Sequence, residues 1–471
     1  AYSNIHFDGA ASGSGIDVQG QNRSLNVYQA GSNYYLVDAS KDMFNAAGST
    51  LPQDGKGVIY TLDAQNGDST LFFITSTNAN SWTNSPGISA AANGALVYDY
   101  YKQVHNRNAI DGQGSNMNLV VNFSSNYNNA FWNGSLMVFG NGDGQAFSDL
   151  SGSLDVTAHE MTHGVVEHTA NLVYENQSGA LNESFADVFG VLFEFWVKGD
   201  QGNWLLGEDV TTPNTADDCL RNMAEPDAAN VAFQGQQPSH MNVYQNLPNT
   251  PDGDNGGVHI NSGIPNRAFY LFSQAVGLEK SEKIYYQALS KYLTRSSQFI
   301  DCRIAVIKAA EDFYGTGSTE AQAAAQAFDA VGIEEGSATP PTPDVPVVDG
   351  AEYLAVVASS DGGLYRVSSD LQEILLFSGA SLYSRPSITD NGAWAYYVDN
   401  QTVIHQVSMI DGTDDVISGT GYSNVAISPT GRFLAATADE IDDAIYIADF
   451  AEQSPQFYRY QLYTPTYTQG E

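Results

Sequence analysis

The segment DVTAHEMTHGVVEH, residues 155–168, places His159 and His163 four positions apart, with Glu160 directly after the first histidine. Histidines at positions i and i+4 project from one face of an α-helix, so two imidazoles can take two corners of a tetrahedral zinc site. The glutamate then lies beside the metal, where it can take a proton from a water molecule. His168 lies nine residues past His159, off this face, and we expect it to be structural. The pattern predicts a zinc-binding helix, unless the histidines are incidental to an amphipathic helix.

The segment GALNESFAD, residues 179–187, offers the third ligand that such a site requires. Glu183 follows His163 by twenty residues and lies on the next predicted helix, with Asp187 one turn further along. A turn between two antiparallel helices would bring Glu183 back to the histidine pair, and Asp187 would then accept the free ring N–H of a zinc histidine. The alternative is an ordinary acidic helix face. The two segments together favour the metal site.

The overall charge disfavours several classes of partner. The 471 residues include 18 Lys+Arg against 54 Asp+Glu, which gives a net charge of −36. Such a surface repels nucleic acid and anionic membranes and attracts divalent cations, although a need for solubility explains it equally well. No apolar stretch of about 18 residues is present, so we expect no membrane insertion. The chain begins at Ala1 without a signal peptide, as we expect of a mature, processed form.

The pattern of residues changes three times along the chain. Residues 1–153 alternate short β-prone runs with turns, around one helix predicted at 94–106. Residues 154–333 show helical spacing. A Pro-rich, acidic stretch at 334–350 is typical of an extended linker, and residues 351–471 return to a β pattern. The sequence therefore predicts a β-rich region, a helical region, a linker and a C-terminal all-β domain.

The C-terminal β region contains an internal repeat. Residues 384–398 match residues 423–437 at an offset of 39, so that Trp394 falls on Phe433. Four short strands in a period of this length predict β-propeller blades. About three units fit, fewer than a closed propeller requires, so the region is truncated, pairs with another chain, or forms a small sheet domain. Four tyrosines are expected to pack within the sheets rather than to form a platform for sugars. They are Tyr396, Tyr397, Tyr458 and Tyr460.

Six further motifs are long and follow one another in order. They are YDYYKQVHNR (98–107), NNAFWNGSLMVFGNGDG (128–144), ENQSGALNESFADVFG (175–190), GEDV (207–210), DNGGVHINSGIPNRAFYL (254–271) and QAFDAVGI (326–333). With HEMTH, they make residues 1–333 resemble the thermolysin-like zinc metallopeptidases of the vibriolysin and pseudolysin kind. The resemblance implies an α+β fold with a β-rich N-terminal lobe, a mainly helical C-terminal lobe and an active site in the cleft between them. A C-terminal all-β domain resembling part of a β-propeller would follow.

The resemblance implies a zinc centre and an activity. His159, His163 and Glu183 match the ligands of one catalytic zinc ion. Glu160 matches the general base, which activates a zinc-bound water and later protonates the leaving amine. Asp187 matches a residue that supports His159. The implied activity is that of a secreted, zinc-dependent neutral endopeptidase that cleaves peptide bonds on the amino side of hydrophobic residues.

The resemblance also implies residues that bind the substrate. His259, oriented by Asp254, would stabilise the oxyanion, and Tyr174 would share this role. On the residues alone, a histidine in a loop rich in Gly and Asn is more often an ordinary surface residue. The residues implied to hold the extended substrate are Asn129, Ala130, Asn182 and Arg221. The positions that match an apolar pocket for the residue after the cleaved bond, or that serve only as core, are Phe147, Leu150, Val156, Val210 and Leu220.

Structural calcium is a further implication of the resemblance. The matching ligand positions are Asp155, Glu194 and Glu208, with Asn203 and the carbonyl of Leu205 as additions. Asn203 stands where a carboxylate is usual, so we expect one ion rather than a pair. Asp200 is another candidate ligand. A weaker second site would consist of Thr211, Thr212, Thr215 and Asp218.

The two cysteines are too few for a disulfide scaffold. From their number alone, Cys219 and Cys302 either form one bridge in an exported protein or remain two buried thiols. The resemblance makes a bridge across the helical lobe the expectation.

Two kinds of function compete. The first is the secreted endopeptidase, which acts on proteins and peptides. The second is a surface- or polymer-binding protein whose β tail is the functional part and whose peptidase lobe is inactive. The complete set of implied catalytic residues favours the first. For the tail itself, the alternatives are binding of a protein or polysaccharide, assistance in folding, or removal on maturation.

Overall fold

The computed structural model describes residues 8–215, 218–232 and 237–334, and most of 353–461. Within the last range, the residues left undescribed are 359–360, 369–371, 390–391, 429–430, 439–443 and 451–455. The chain divides into two units, Ala1–Ala338 and Thr339–Glu471. The predicted linker at 334–350 lies, apart from Glu334, outside the described residues.

Short strands and one long helix make up the N-terminal part of the first unit. In chain order they are β1 (Gly9–Ile16), β2 (Asn22–Ala30), β3 (Asn33–Tyr35), β4 (Val37–Asp38), β5 (Ile59–Asp63), β6 (Phe72–Phe73), β7 (Thr75–Ser76), α1 (Ser85–His105), β8 (Met117–Val121), β9 (Ala130–Trp132) and β10 (Met137–Phe139). One sheet has the order β1-β2-β3-β7, and the other has β4-β5-β8-β10-β9 with β6 on β5. β9 is the edge strand of the second sheet, and an edge strand leaves backbone groups free for an extended peptide.

Helices dominate the rest of the first unit. In chain order the elements are α2 (Leu154–Glu167), α3 (Asn176–Lys198), β11 (Leu205–Leu206), β12 (Arg221–Asn222), α4 (Asp254–Asn261), α5 (Gly263–Val276), α6 (Leu278–Gln287), α7 (Phe299–Tyr314) and α8 (Thr319–Asp329). A π-helical turn, Ala288–Tyr292, extends α6. The predicted β-rich and helical parts are confirmed, and the helix predicted at 94–106 is the second half of α1.

Helices α2 and α3 form the centre of the first unit. Both are buried along most of their length, including their polar residues. The chain between them turns through His168, which caps α2 and is exposed, and through Asn171, whose φ is +52°. Because α2 and α3 pack side by side, residues near the end of α2 face residues near the start of α3. This packing explains why the spacing between segments 155–168 and 179–187 predicts that their side chains meet.

Three antiparallel sheets make up the described part of the second unit. The first consists of β13 (Tyr353–Val357), β14 (Leu364–Ser368) and β15 (Ile374–Ser378). The second consists of β16 (Ser387–Ile388), β17 (Trp394–Val398), β18 (Ile404–Ser408) and β19 (Asp414–Val416). The third consists of β20 (Tyr422–Ile427), β21 (Phe433–Ala438), β22 (Ala444–Asp449) and β23 (Tyr458–Gln461). The predicted all-β domain is confirmed. No closed ring of sheets is present among the described strands, so the propeller-like arrangement stays a prediction.

The four tyrosines of the second unit divide into two pairs. Tyr396 and Tyr397 are buried between sheets, as predicted. Tyr458 and Tyr460 are 50% and 53% exposed, so the prediction that they pack within the sheets is wrong. Both lie on β23, the edge strand of the third sheet, where no described sheet covers them.

The predicted disulfide is wrong. Cys219 and Cys302 are both free thiols and both buried. Cys219 lies in the segment before β12, and its thiol lies 3.7 Å from the backbone carbonyl of Asn230. The Cys302 thiol belongs to the main hydrophobic cluster, on α7. The two sulfur atoms therefore have separate neighbours, and packing rather than a covalent bond holds both segments.

Candidate metal centre and substrate cleft

Three side chains from α2 and α3 converge on one point. The Nε2 atoms of His159 and His163 are 3.0 Å apart. Glu183 Oε2 lies 3.5 Å from His159 Nε2, and Glu183 Oε1 lies 3.4 Å from His163 Nε2. Ligand atoms from the three residues all lie within 4.8 Å of one another. The structure therefore brings together the two histidines and the glutamate that the sequence singled out.

The convergent group fits a zinc ion. Glu183 Oε2 is buried without a hydrogen-bond partner among the described residues, which is costly unless a cation faces it. Burial lowers the pKa of His163 to about 4, so this ring is neutral, as metal binding requires. Two imidazole nitrogens and one carboxylate leave the fourth position of a tetrahedral site free. This donor set is typical of catalytic rather than structural zinc.

A second layer of side chains fixes the two histidine rings. Asp187 Oδ1 lies 2.8 Å from His159 Nδ1. Asn182 Oδ1 lies 2.8 Å from His163 Nδ1. Each oxygen accepts the Nδ1 proton, so both Nε2 atoms turn their lone pairs toward the metal position. Asn182 lines the cleft, as predicted, and its contact with His163 is a role that the sequence had not indicated.

Asp187 is itself held by two further groups. Arg221 donates from Nε and Nη2 to its two oxygens at 2.8 and 2.7 Å, and the Asn266 amide donates at 2.8 Å. All three residues are buried. Asn266 was not predicted, because it is far from Asp187 in the sequence and no spacing connects them.

Glu160 lies beside the metal-binding group in a dry environment. Its side chain lines the cleft but is only 6% exposed. Burial raises the pKa of this carboxyl to about 7. A carboxyl that titrates near neutrality can both take and return a proton at physiological pH. This property suits a general base.

Tyr174, His259 and Asp254 form a hydrogen-bonded chain at the same site. The Tyr174 hydroxyl lies 3.0 Å from His259 Nε2 and also bonds to Glu183. Asp254 Oδ1 lies 2.6 Å from His259 Nδ1. Burial lowers the pKa of His259, but the nearby Glu183 and the bond to Asp254 outweigh it and raise this pKa to about 9. His259 is therefore a charged donor at neutral pH.

The local backbone explains how His259 reaches the cleft. Asn255, Gly256 and Gly257 have φ values of 48°, 85° and 79°, which turn the chain before it becomes helical. A Cβ on Gly256 would lie 2.2 Å from Asn176 Oδ1, so this position requires glycine. The Gly- and Asn-rich segment was expected to be a loop. It is instead a tight turn within the first residues of α4, and the helical part of α4 carries His259.

A cleft of about 730 Å³ surrounds this group. Its lining includes every residue that was predicted to bind substrate: Asn129, Ala130, Phe147, Leu150, Val156, Asn182, Val210, Leu220 and Arg221. Ala130 lies on the edge strand β9. Trp132 and Glu167 also line the cleft and share a hydrogen bond of 2.7 Å, which the sequence reasoning missed.

Comparison with known proteins assigns the family. The description "Thermolysin metallopeptidase, catalytic domain" matches residues 12–167, and "Thermolysin metallopeptidase, alpha-helical domain" matches residues 170–333. Neutral protease NprE of Bacillus pumilus is 44% identical over 328 residues, which are 69% of this chain and 100% of NprE. The chain belongs to the thermolysin metallopeptidase family.

The chain matches a different fraction of the length of each further relative. Bacillolysin of Bacillus subtilis (strain 168) is 44% identical over 328 residues, so the chain spans 57% of that relative's length. Among solved structures, the precursor of protealysin, a metalloproteinase from Serratia proteamaculans, is 35% identical with a TM-score of 0.54. That match covers 61% of this chain and 90% of the other. The family matches end at residue 333, within the first unit.

A second acidic group lies at the far ends of α2 and α3. Oxygens of Asp155, Glu194 and Glu208 all lie within 4.8 Å of one another. Burial raises the pKa of Glu194 to about 7 and that of Glu208 to about 8. Asn203 donates its amide N–H to Glu208 at 2.7 Å, so its nitrogen rather than its oxygen faces the carboxylates. Lys198 Nζ lies 3.3 Å from Glu194 Oε1, so its positive charge offsets part of the negative charge of this group.

Proposed function

We propose that this thermolysin metallopeptidase is a zinc-dependent neutral endopeptidase that acts on proteins and peptides. The convergence of His159, His163 and Glu183 beside Glu160, within one cleft, carries this proposal. A bound zinc ion supplies Lewis acidity, which polarises a carbonyl and acidifies water. The relatives named neutral protease and bacillolysin support the same activity.

Glu160 performs the proton transfers. With a pKa near 7 it takes the proton of the attacking water as the general base and then delivers that proton to the leaving amine. Asp187 and Asn182 hold the two histidine rings in the tautomer that faces the metal. These hydrogen bonds are already formed before the substrate reacts, so the histidine rings need little rearrangement during the reaction.

His259 and Tyr174 stabilise the negative charge that develops on the carbonyl oxygen. His259 is protonated at neutral pH and donates a charged hydrogen bond, with its ring oriented by Asp254. Burial and the neighbouring Glu183 raise the pKa of Tyr174, so its hydroxyl keeps its proton and also donates. Arg221, Asn129 and the backbone of Ala130 hold the substrate in an extended form. Loss of one oxyanion donor typically reduces the rate about 100- to 1000-fold.

The cleft favours a hydrophobic residue immediately after the cleaved bond. One part of its lining is apolar and buried. Burying a large aliphatic or aromatic side chain there contributes about 1.5 to 3 kcal/mol. The residues that form this pocket are Phe147, Leu150, Val156, Val210 and Leu220.

We propose that the group of Asp155, Glu194 and Glu208 binds one structural calcium ion, with Asn203 and the Leu205 carbonyl as further ligands. Several hard oxygen donors suit Ca²⁺, and Glu208 Oε2 is buried without a hydrogen-bond partner among the described residues. Binding requires the Asn203 amide to turn its oxygen inward. A second ion near Thr211 and Thr212 is supported by their buried hydroxyls, which also lack such partners.

We propose that the protein is exported and that its second unit is an arc of a propeller-type ring. The name of one relative, the "Extracellular elastase" of Staphylococcus epidermidis, which is 42% identical over 337 residues, supports export. No helix among the described residues is long and apolar enough to cross a bilayer. Two apolar clusters support the arc, since one joins the first antiparallel sheet to the second and the other joins the second to the third. The ligands proposed for this unit are a protein or a polysaccharide.

The activity is tested with a peptide that carries a hydrophobic residue after the scissile bond. Glu160→Gln is expected to lower kcat/KM by about 100- to 10,000-fold without changing the bound zinc, because only the proton transfer is lost. Glu279→Gln is the matched control, since Glu279 is exposed on α6 and does not line the cleft. Wild-type cleavage that survives removal of zinc by a chelator, or full activity of Glu160→Gln, would contradict the proposal.

A further inference from the structure

One side of helix α2 forms the floor of the cleft. Four of its residues line the cleft and recur at intervals of four, three and four, so their side chains share one side of the helix. They are Val156, Glu160, His163 and Glu167. At a rise of about 1.5 Å per residue, this floor is about 16 Å long. Val156 lies at one end and Glu167 at the other, with the metal-binding group between them.

The two ends of this floor serve different sides of the cleaved bond, on the basis of the peptidase activity proposed above. Val156 belongs to the apolar pocket for the residue after the bond. A substrate that crosses the metal-binding group therefore places its residues before the bond toward Glu167. His163 and Glu167 are about 6 Å apart along the helix axis, and an extended peptide advances about 3.3 Å per residue. Glu167 thus lies level with the second residue before the bond.

The edge strand β9 leads to the same position. Ala130, which is proposed to hold the substrate backbone, and Trp132 lie two residues apart on this strand, about 7 Å along it. Residues at positions i and i+2 of a strand point to the same face, and both of these residues line the cleft. Trp132 therefore lies beside the same part of an extended substrate as Glu167.

Trp132 and Glu167 hold each other in place. The indole Nε1 of Trp132 donates a hydrogen bond to Glu167 Oε2 at 2.7 Å. Gly164 lets the indole lie close against α2, since a Cβ at this position would be 3.3 Å from Trp132 Cε2 and Cζ2. The ring and the carboxylate are therefore positioned before a substrate arrives, which lowers the entropy lost on binding.

Glu167 keeps the capacity to bind a ligand. Its side chain is exposed, and a carboxylate offers about four acceptor positions, of which the indole N–H occupies one. A glutamate side chain carries a negative charge at neutral pH. Trp132 is half-buried, so part of its ring remains as apolar surface beside this charge. The pair presents the cleft with an aromatic surface that ends in a carboxylate.

The charges of the cleft lining favour a cation beside Glu167. Among the described residues that line the cleft there is no lysine, and the guanidinium of Arg221 is buried against Asp187. Glu160 and Glu183 also line the cleft, but both are almost completely buried. Glu167 is therefore the exposed carboxylate of the described lining, and a positively charged substrate group would meet it first.

We propose that Glu167 and Trp132 form a subsite for a positively charged side chain, that of lysine or arginine, at the second residue before the cleaved bond. Both of these side chains have a long apolar stem and a charged end. The stem packs on the indole, and the charged end pairs with the carboxylate. Tryptophan rings attract cations as well. An acidic side chain at the same position is repelled.

The experiment compares three short peptides that share a leucine after the cleaved bond and carry lysine, methionine or glutamate two residues before it. We expect kcat/KM to fall in this order. The lysine peptide should exceed the methionine peptide by about 3- to 20-fold, since an exposed ion pair and a cation–aromatic contact each contribute a few-fold. A methionine peptide that is cleaved as fast as the lysine peptide overturns the subsite. If none of the three is cleaved, the proposed peptidase activity itself fails.

A fourth peptide separates the subsite from the charge of the whole chain. The net charge of −36 attracts any cationic peptide, wherever its charge lies. The fourth peptide therefore has the composition of the lysine peptide, but its lysine is moved to the third position after the bond. We expect kcat/KM close to that of the methionine peptide. A value equal to that of the lysine peptide would mean that the long-range field, and not Glu167, sets the preference.

Exchanges of Glu167 test its role directly. Glu167→Gln keeps an acceptor for the indole N–H but removes the charge, so the ratio of kcat/KM for the lysine and methionine peptides should fall to about one. Glu167→Lys should reverse the order and favour the glutamate peptide. Glu279→Gln, which removes an exposed charge on α6 outside the cleft lining, should retain the wild-type ratio.

The ratio compares two peptides on the same variant, so a general loss of stability or activity cancels. Circular dichroism establishes that each variant remains folded. A wild-type ratio in Glu167→Gln would overturn the subsite, because the hydrogen bond between Glu167 and Trp132 would then serve only to join α2 to β9.

Discussion

At the scale of single residues, the site depends on groups that never touch the substrate. Asp187 receives hydrogen bonds from His159, Arg221 and Asn266, and it is completely buried. It fixes one metal-binding ring and neutralises the guanidinium beside it. Such residues behind a metal ligand commonly affect affinity more than their distance suggests.

Asp187→Asn is expected to weaken zinc binding about 10- to 100-fold, because the amide accepts the His159 proton less strongly and leaves Arg221 without its counter-charge. Competition with a chromophoric chelator measures the affinity. Asp252→Asn, an exposed carboxylate of the same unit, is the control. Equal zinc affinity in the two variants would show that Asp187 does not position the ligand.

Residues close in sequence were predictable, and residues brought together by the fold were not. The i and i+4 histidines and Glu183 follow from helix geometry and one tight connection. Asn266 has no such signal, since it reaches Asp187 from α5. The bridge that the resemblance implied between Cys219 and Cys302 is absent for the same reason, because membership of one lobe carries no information on the distance between two residues.

At the scale of elements, helices α1 and α6 meet at a buried acid. Glu282 on α6 accepts a hydrogen bond from the Tyr100 hydroxyl on α1, and burial raises the pKa of Glu282 to about 7. In the unfolded chain a glutamate titrates near about 4.3. The folded state therefore prefers the protonated form, and this preference costs stability as the pH rises from about 4 through about 7.

Glu282→Gln should remove that cost and keep the hydrogen bond. Its free energy of unfolding is expected to match that of the wild type below about pH 4 and to exceed it by about 3 to 4 kcal/mol at pH 8. Urea unfolding at a series of pH values measures the difference. Glu279→Gln, exposed on the same helix, should show no such rise. A constant difference at all pH values would mean that ionisation of Glu282 is not the cause.

The end of α3 carries its own cation. Lys198 Nζ lies 3.3 Å from Glu194 and 3.2 Å from Asp209, next to the proposed calcium ligands. Without calcium this ammonium offsets part of the carboxylate repulsion. Lys198→Met is expected to lower the free energy of unfolding by about 2 kcal/mol in calcium-free buffer. The decrease is expected to be smaller when calcium is present.

Thermal unfolding with and without added calcium tests this prediction, with the exposed Lys308→Met as the control. If calcium fails to narrow the gap between Lys198→Met and the wild type, the acidic group is not a calcium site.

The sequence indicated most elements but not all their limits. Apolar residues at helical spacing predicted α2 and α3 because both are long and buried. The start of α1 was missed, since its first turns contain Pro86 and Gly87 and depend on the Asn84 cap rather than on periodicity. The segment before His259 was expected to be a loop because it is rich in Gly and Asn. Its two glycines do have positive φ, yet α4 begins within this segment.

At the scale of the whole molecule, the described residues that line the candidate cleft all belong to the first unit. Each of these lining residues precedes residue 260, the two family matches together span residues 12–333, and 328 residues of the chain match the full length of NprE. A chain ending at Glu334 is therefore expected to keep kcat/KM within about twofold of the full chain on a short peptide. Steady-state kinetics on the two chains measure this ratio. A folded but inactive truncated chain would show that the second unit contributes to catalysis.

The rate at which the two free thiols react with a reagent reports how often the first unit opens around them. Burial raises the pKa of both cysteines, that of Cys219 to about 12, so neither forms a reactive thiolate in the folded state. A thiol reagent can label them only when their surroundings separate. Cys219 lies beside Leu220 of the substrate cleft, and Cys302 lies in the core helix α7. Different labelling rates for the two thiols would distinguish local opening of the cleft wall from global unfolding, without the need to introduce a new cysteine.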